Sequence, residues 1–225
     1  MVEKTPCRIV VLISGNGSNL QAIIDAIANN QISAKIVAVI SNKAGAYGLV
    51  RATKANIATQ VLSASDFSDR QQYDQALMAC VDAYHPDLIV LAGFMRILSD
   101  DFVHHYLGKM FNIHPSLLPK YKGLDTHRRV LASGDKEHGA TVHFVIPALD
   151  SGPIILQGKM PVLATDTEQQ LAERVHEIEH RIYPQAIGWF AEGRLILSDN
   201  QVLMDHHPIP PQQQIYSQSG QLQDN

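Results

Sequence analysis

The sequence has few cysteines and no cluster of basic residues. Its 225 residues include only two cysteines, Cys7 and Cys80. They form no metal-binding or redox motif, and two cysteines in a chain of this size do not make a disulfide scaffold. No Lys/Arg run is present, and the formal net charge is −4. The charge pattern therefore gives no sign of a nucleic-acid or membrane partner.

Long apolar runs are also missing. No stretch approaches the length that spans a membrane, and the apolar run near the N-terminus is too short for a secretory signal. Hydrophobic residues make up 45% of the chain and charged residues 18%, which is ordinary for a soluble globular protein. We therefore expect a cytoplasmic protein.

Buried strands alternate with helices in the N-terminal half. Arg8–Ile13 and Lys35–Ile40 are apolar after their first residue, and Leu88–Ala92 is apolar throughout. Such runs are typical of strands buried in a parallel sheet. Segments with helical periodicity, such as Leu20–Ala28 and Arg70–Tyr84, separate them. This pattern predicts an α/β fold with a Rossmann-like, mostly parallel sheet and helices on both faces.

The rest of the chain completes one expected domain over 1–205, with halves at about 1–100 and 101–205. Two hairpins are predicted, one of Ile154–Leu156 with Lys159–Val162 through Gly158, and one of Arg194–Leu197 with Gln201–Met204. The segment 206–225 is rich in Pro, Gln and Ser. We expect it to be a flexible tail and expect truncation after Pro208 to be tolerated.

A glycine-rich loop joins the first strand to the first helix. Ser14–Asn19 reads SGNGSN, and backbone N–H groups at a helix N-terminus form an anion site. Ser18 is predicted to cap the helix, with Gln21 at capping-box spacing. The Walker lysine and the third glycine of the dinucleotide fingerprint are both absent, so the loop suits a single phosphate. A tight turn without a ligand is the alternative.

Asn112 and His114 stand two positions apart at the end of another predicted strand. Pro115 keeps His114 extended, and side chains at i and i+2 of an extended segment point to the same side. The amide of Asn112 and a protonated His114 can both donate to one oxygen, which is the arrangement of an oxyanion hole. A turn beside a structural histidine is the alternative.

An apolar segment follows the Leu88–Ala92 strand at the same sheet edge. Phe94–Leu98 reads FMRIL. It could line a pocket for a flat aromatic ligand, and a core corner is the alternative.

Several motifs in a fixed order carry a family resemblance. They are VLISGNGSNLQAII, SNKA, VLAGFMRILS, NIHPSLLP, EHGATVHFV, LDSGPIILQ and EHRIYP. From Ile9 to about Leu197 the sequence resembles the phosphoribosylglycinamide formyltransferases, folate-dependent enzymes of purine synthesis. The resemblance implies the formyltransferase fold, with a phosphate-binding N-terminal half and a catalytic and folate-binding C-terminal half.

The resemblance also assigns roles to residues. It implies that Asn112, His114 and Asp150 form a catalytic trio. The substrate-binding residues would be Gly17, Ser18 and Asn19 at the phosphate, with His176 and Glu179 at the ribose. The cofactor-binding residues would be Arg70, Met95, Arg96, Ile97, Leu98, Asn112, Ile146, Pro147, Ala148, Leu149 and Asp150. Asp125 stands where some members carry His, which affects contacts beside the trio rather than the trio itself.

The implied reaction is formyl transfer from 10-formyltetrahydrofolate, the cosubstrate, to the amine of glycinamide ribonucleotide. Asn112 and protonated His114 would stabilise the tetrahedral oxyanion. Asp150 would favour the imidazolium form of His114 and accept the proton of the amine, through a water. No metal is expected, because His114 and Asp150 lack a third ligand at zinc spacing. A monomer or a homodimer is expected.

Two other functions are weighed against this one. A formyltetrahydrofolate hydrolase would use the same trio, but it would have no use for a phosphate loop. A non-enzymatic folate- or nucleotide-binding module would leave His114 and Asp150 without a joint purpose.

Overall fold

An eight-stranded mixed sheet forms the centre of the molecule. The computed structural model describes residues 5–210 and 212–215. The strands of the sheet are β1 (Cys7–Ile13), β2 (Ala34–Ser41), β3 (Thr59–Val61), β4 (Leu88–Leu91), β5 (Met110–His114), β6 (Glu137–Phe144), β7 (Ile154–Pro161) and β11 (Gln212–Ile215). Their order is β11-β7-β6-β5-β4-β1-β2-β3. Only the β5–β6 and β6–β7 pairs are antiparallel, so the mostly parallel sheet is confirmed.

Within the described residues, six α-helices lie around the sheet. They are α1 (Ser18–Ala28), α2 (Tyr47–Lys54), α3 (Arg70–Asp82), α4 (Asp100–His105), α5 (Thr126–Ser133) and α6 (Glu168–Ala191). Alternate residues of β1 face opposite sides, so Val11 packs with α1 and α6 while Leu12 packs with α3 and α4. The sheet therefore has a core on each face, as predicted for helices on both sides.

The carboxyl ends of β1, β4 and β5 lie side by side. Leu12 pairs with Leu91, and Leu91 pairs with Asn112. The hydroxyl of Tyr183 on α6 donates to the carbonyl oxygens of Leu91 and Phe111, at 3.0 and 3.1 Å. These buried bonds fix α6 against the sheet edge where an open α/β sheet places its ligands.

The predicted N-cap of α1 is wrong. Gly17, with φ +75°, occupies the N-cap position, and Ser18 is the first helical residue without a capping bond. The N-cap of α5, Asp125, is also in the left-handed region. In both helices the N-cap residue has a positive φ, which the sequence pattern of a capping box does not indicate.

The predicted hairpin at Gly158 is also wrong. β7 runs without a break from Ile154 to Pro161, because every residue around Gly158 pairs with β6, including Gly158 with Ala140. The second hairpin is confirmed: β8 (Leu195–Ser198) and β9 (Gln201–Met204) pair antiparallel, and β10 (His207–Pro208) joins them.

Two strands fall within the segment expected to be a flexible tail. β10 lies within 206–225, and β11 adds a parallel strand to the edge of β7, with Gln212 opposite Leu156. The flexibility of the tail stays a prediction, and residues 211 and 216–225 lie outside the described part. No helix within the described residues is long and apolar enough to cross a membrane.

Candidate active site

His114 lies at the end of β5, where both of its ring nitrogens face oxygen atoms. Nδ1 is 3.4 Å from Oδ2 of Asp150, and Nε2 is 2.9 Å from the carbonyl oxygen of Tyr121. The side chains of His114 and Asp150 are each 7% exposed. Each ring nitrogen of His114 therefore faces an oxygen that can accept a hydrogen bond from it. The structure thus brings together the two residues that the sequence separates by 36 positions.

Asp150 is held by its own loop and by a neighbouring one. Its Oδ2 atom accepts a hydrogen bond from the backbone N–H of Gly123 at 2.9 Å. Its φ of +46° is unusual for a residue other than glycine. Such conformations persist where surrounding contacts over-determine them, and they cluster at functional sites.

Asn112 shares the strand face of His114, but its amide is engaged with a residue on β6. The Asn112 Nδ2 atom lies 3.2 Å from Nε2 of His143, directly opposite in the β5–β6 register. Nδ1 of His143 donates to the carbonyl oxygen of Phe144 at 2.8 Å, so Nε2 is left as the acceptor. One amide hydrogen of Asn112 is thereby used, and the other is available.

The glycine-rich loop meets α6 through a buried amide–carboxyl pair. Asn19 Nδ2 donates to Oε2 of Glu179 at 2.8 Å, and both residues are buried. Burial raises the pKa of Glu179, and the Asn19 hydrogen bond opposes this. The Oδ1 atom of Asn19 is buried and has no hydrogen-bond partner among the described residues. His176 precedes Glu179 by one turn and is exposed.

The segment after β4 presents apolar side chains at the same sheet edge. Met95 and Ile97 are 64% and 60% exposed, whereas Leu98 is buried. Ser14, at the start of the glycine-rich loop, accepts the backbone N–H of Met95 at 2.8 Å. Arg70 donates to the carbonyl oxygen of Leu98. Phe94 and Leu98 belong to the core, so the segment is partly a core corner, while the exposed side chains of Met95 and Ile97 leave an apolar surface at the sheet edge.

Arg96 and a second loop complete this region. The guanidinium of Arg96 lies over the ring of Tyr73, 4.1 Å from its centroid. In the loop that carries Asp150, Ile146 and Pro147 are half-buried, Ala148 is exposed, and Leu149 is 52% exposed. Asp125, the position that departs from some family members, forms an ion pair with Arg128 at the exposed start of α5.

Histidines are numerous here, but they do not gather as metal ligands. His127 Nδ1 and His138 Nε2 share a hydrogen bond of 3.0 Å. Burial lowers the pKa of His127 to about 4, with His176 and His114 adding to the effect. In the part of the chain that the structure describes, no group of three His, Cys, Asp or Glu side chains could hold a metal ion.

Three contacts of the site were not foreseen from the sequence. They come from His143, the carbonyl oxygen of Tyr121 and the N–H of Gly123. The alternating pattern of β6 marks His143 as a strand residue, but only its register against β5 places it opposite Asn112. The two backbone contacts carry no side-chain signal.

The fold and this site define a class of protein. The family model described as formyl transferase matches residues 7–187, and the chain belongs to that family. Within it, the chain groups with the phosphoribosylglycinamide formyltransferases. The enzyme of that name from Escherichia coli (strain K12) is 58% identical over 205 residues, covering 91% of this chain and 97% of the relative.

Other relatives agree with this assignment. The trifunctional purine biosynthetic protein adenosine-3 of Homo sapiens is 46% identical over 198 residues, which are 88% of this chain and 20% of that protein. Among solved structures, phosphoribosylglycinamide formyltransferase from Coxiella burnetii superimposes with a TM-score of 0.89 at 51% identity. That match covers 92% of this chain and 99% of the other.

Proposed function

We propose that this chain transfers the formyl group of 10-formyltetrahydrofolate to the amine of glycinamide ribonucleotide in purine biosynthesis, with Asn112, His114 and Asp150 as catalytic residues. Family membership supports the reaction. The observation that carries the residue assignment is the buried His114–Asp150 pair, with nitrogen and oxygen 3.4 Å apart. His114 is on β5, the strand that also carries Asn112.

In the proposed reaction the amine attacks the formyl carbon and negative charge develops on the formyl oxygen. The tetrahedral intermediate then collapses: the bond between the formyl carbon and N10 of the folate breaks, and N10 takes up a proton as tetrahydrofolate leaves. His114 would donate to that oxygen as an imidazolium, together with the free amide hydrogen of Asn112. The carbonyl oxygen of Tyr121 holds the Nε2–H of His114 in this structure. Donation to the oxyanion from Nε2 therefore requires the oxyanion to replace or share that acceptor.

Asp150 has two proposed tasks. Its carboxylate lies beside the imidazole and stabilises the positive charge on His114. It also accepts the proton that the attacking amine loses, through a water. The N–H of Gly123 donates to Oδ2 of Asp150, the same oxygen that faces Nδ1 of His114, and so holds this oxygen beside the imidazole.

The two substrates are proposed to occupy opposite parts of the cleft. Gly17, Ser18 and Asn19 would bind the phosphate, and His176 and Glu179 would bind the ribose hydroxyls. The buried Asn19–Glu179 contact supports this, because it joins the phosphate loop to the proposed ribose site. The folate would lie against Arg70, Met95, Arg96, Ile97, Leu98, Asn112, Ile146, Pro147, Ala148, Leu149 and Asp150.

Other expectations stay predictions. They are a cytoplasmic location, a monomeric or homodimeric state, the absence of nucleic-acid and membrane partners, and the division of 1–205 into a phosphate-binding and a catalytic half.

The test is formyl transfer by the purified protein, followed by absorbance of the deformylated folate, with and without glycinamide ribonucleotide. We expect turnover only with the ribonucleotide. Asn112→Ala and His114→Ala should each lower kcat by about 10²–10³-fold, because each removes one oxyanion donor. Asp150→Asn should also lose activity, and His104→Ala, at an exposed position on α4, should retain it.

The outcomes separate the alternatives. Turnover without the ribonucleotide would indicate a hydrolase. Folate binding without turnover would indicate a binding module. Full activity of His114→Ala would contradict the assignment of the trio.

A further inference from the structure

Arg51 on α2 makes three hydrogen bonds to the segment around the glycine-rich loop. Its Nε and Nη2 atoms donate to the carbonyl oxygen and the side-chain Oδ1 of Asn16, each at 3.0 Å. Its Nη1 atom donates to Oε1 of Gln21 at 3.2 Å. The flat face of the guanidinium lies 5.0 Å from the ring centroid of Tyr47. Both edges and one face of this side chain are thus engaged.

The loop and α2 are in direct backbone contact beside Arg51. The N–H of Gly48 donates to the carbonyl oxygen of Gly15 at 3.1 Å. A Cβ atom on Gly17 would lie 2.7 Å from the Cα of Gly48, and one on Gly48 would lie 2.6 Å from Cδ1 of Ile13. A side chain at either glycine would therefore collide with a neighbouring element. This close packing holds α2, and with it Arg51, against the glycine-rich loop.

The bond to the Asn16 carbonyl has a consequence for the proposed phosphate donors. A trans peptide is planar, so the carbonyl oxygen of Asn16 and the N–H of Gly17 point in opposite directions in one rigid unit. Holding the oxygen therefore fixes the direction of that N–H. The next N–H groups, of Ser18 and Asn19, belong to the first turn of α1 and have no acceptor within the helix.

We propose that Arg51 is a positioning residue for the substrate phosphate, acting through the Asn16–Gly17 peptide rather than by touching the substrate. This rests on the proposed function, in which Gly17–Asn19 bind that phosphate. A guanidinium is required because its fork reaches both oxygens of Asn16 in a fixed geometry, whereas an ammonium offers a single point of contact.

The test compares Arg51→Lys and Arg51→Gln with Lys54→Gln, which removes an exposed cation from the same helix. Steady-state kinetics are measured with glycinamide ribonucleotide and with its dephosphorylated ribonucleoside. Both Arg51 variants should raise KM for the ribonucleotide about tenfold and leave kcat within about twofold, because ground-state and transition-state binding of the phosphate are lost equally. KM for the folate, and kcat/KM for the ribonucleoside, should not change. Lys54→Gln should match the parent protein.

Each other result has a definite meaning. An unchanged ribonucleotide KM in Arg51→Lys would overturn the proposal, because charge alone would then suffice. An equal loss of kcat/KM for both substrates, with a lowered melting temperature, would also overturn it, because Arg51 would then only stabilise the fold. If the parent protein does not prefer the phosphorylated substrate, the phosphate role of Gly17–Asn19 fails, and the Arg51 proposal fails with it.

Discussion

The amide of Asn112 is oriented by a neutral imidazole. Burial lowers the pKa of His143 to about 4, while its bond to the Phe144 carbonyl and the nearby Asp150 oppose the shift. Near pH 7 the ring is therefore uncharged, with Nε2 free to accept the Asn112 amide. A protonated ring would turn a donor toward that amide and break the contact.

We predict that His143→Leu lowers kcat about tenfold or more without changing KM for the ribonucleotide. The reason is that the Asn112 amide loses the partner that directs its second hydrogen at the oxyanion. The measurement is a double-mutant cycle with Asn112→Ala. In the Asn112→Ala background the His143 substitution should have little further effect on kcat. Additive losses would show that His143 acts by another route.

At the scale of elements, β6 and β7 approach closely where two glycines meet. A Cβ atom on Gly139 would lie 1.9 Å from the carbonyl oxygen of Gly158. A contact this short cannot be relieved by a side-chain rotation, because the obstructing atom belongs to the backbone of the paired strand. The antiparallel part of the sheet, which places His143 opposite Asn112, depends on this approach.

Gly139→Ala should therefore lower the free energy of unfolding by about 3 kcal/mol, which is at the upper end for overpacking. The matched control is Gly45→Ala, an exposed position where an added Cβ meets no atom within 4 Å. Urea unfolding of both variants measures the difference. Equal midpoints for the two variants would contradict the prediction.

At the scale of the whole molecule, buried histidines make the free energy of unfolding depend on pH. Burial lowers the pKa of His138 to about 3, and His127 and His114 add to this while Asp135 opposes it. His127 and His143 are each lowered to about 4. In the unfolded chain these groups bind protons near the ordinary value of about 6.5. Between these values the unfolded chain binds more protons, so acid favours unfolding.

We predict that the contribution of these three histidines to the free energy of unfolding is fully present above about pH 6.5. This contribution should decline as the pH falls toward 4. Replacing His138 with Gln removes one of these groups, so the slope of unfolding free energy against pH should decrease by up to about 1.4 kcal/mol per pH unit. The comparison is urea unfolding of both proteins from pH 4.5 to 7.5. Parallel curves would show that His138 does not contribute.

The sequence by itself determined the elements and the chemistry at their ends. Runs of β-branched residues specified β1, β2 and β4, because an apolar strand is stable only where both faces are buried. The spacing of Asn112 and His114 put two donors on one side of a strand, since side-chain alternation is a local property. The family motifs also indicated Asp150 as a catalytic residue and Glu179 as a ribose-binding residue, without any knowledge of their contacts.

Only the tertiary structure decided which residues meet. The register of β6 placed His143 against Asn112, and two loops met at Asp150 and Gly123, because such contacts depend on the packing of segments distant in sequence. β7 runs through Gly158, and β11 extends the sheet from a Pro/Gln/Ser-rich segment, because both are held by backbone hydrogen bonds to a paired strand. Residues with almost any side chain can form backbone hydrogen bonds, so the amino-acid composition of a segment does not predict this pairing.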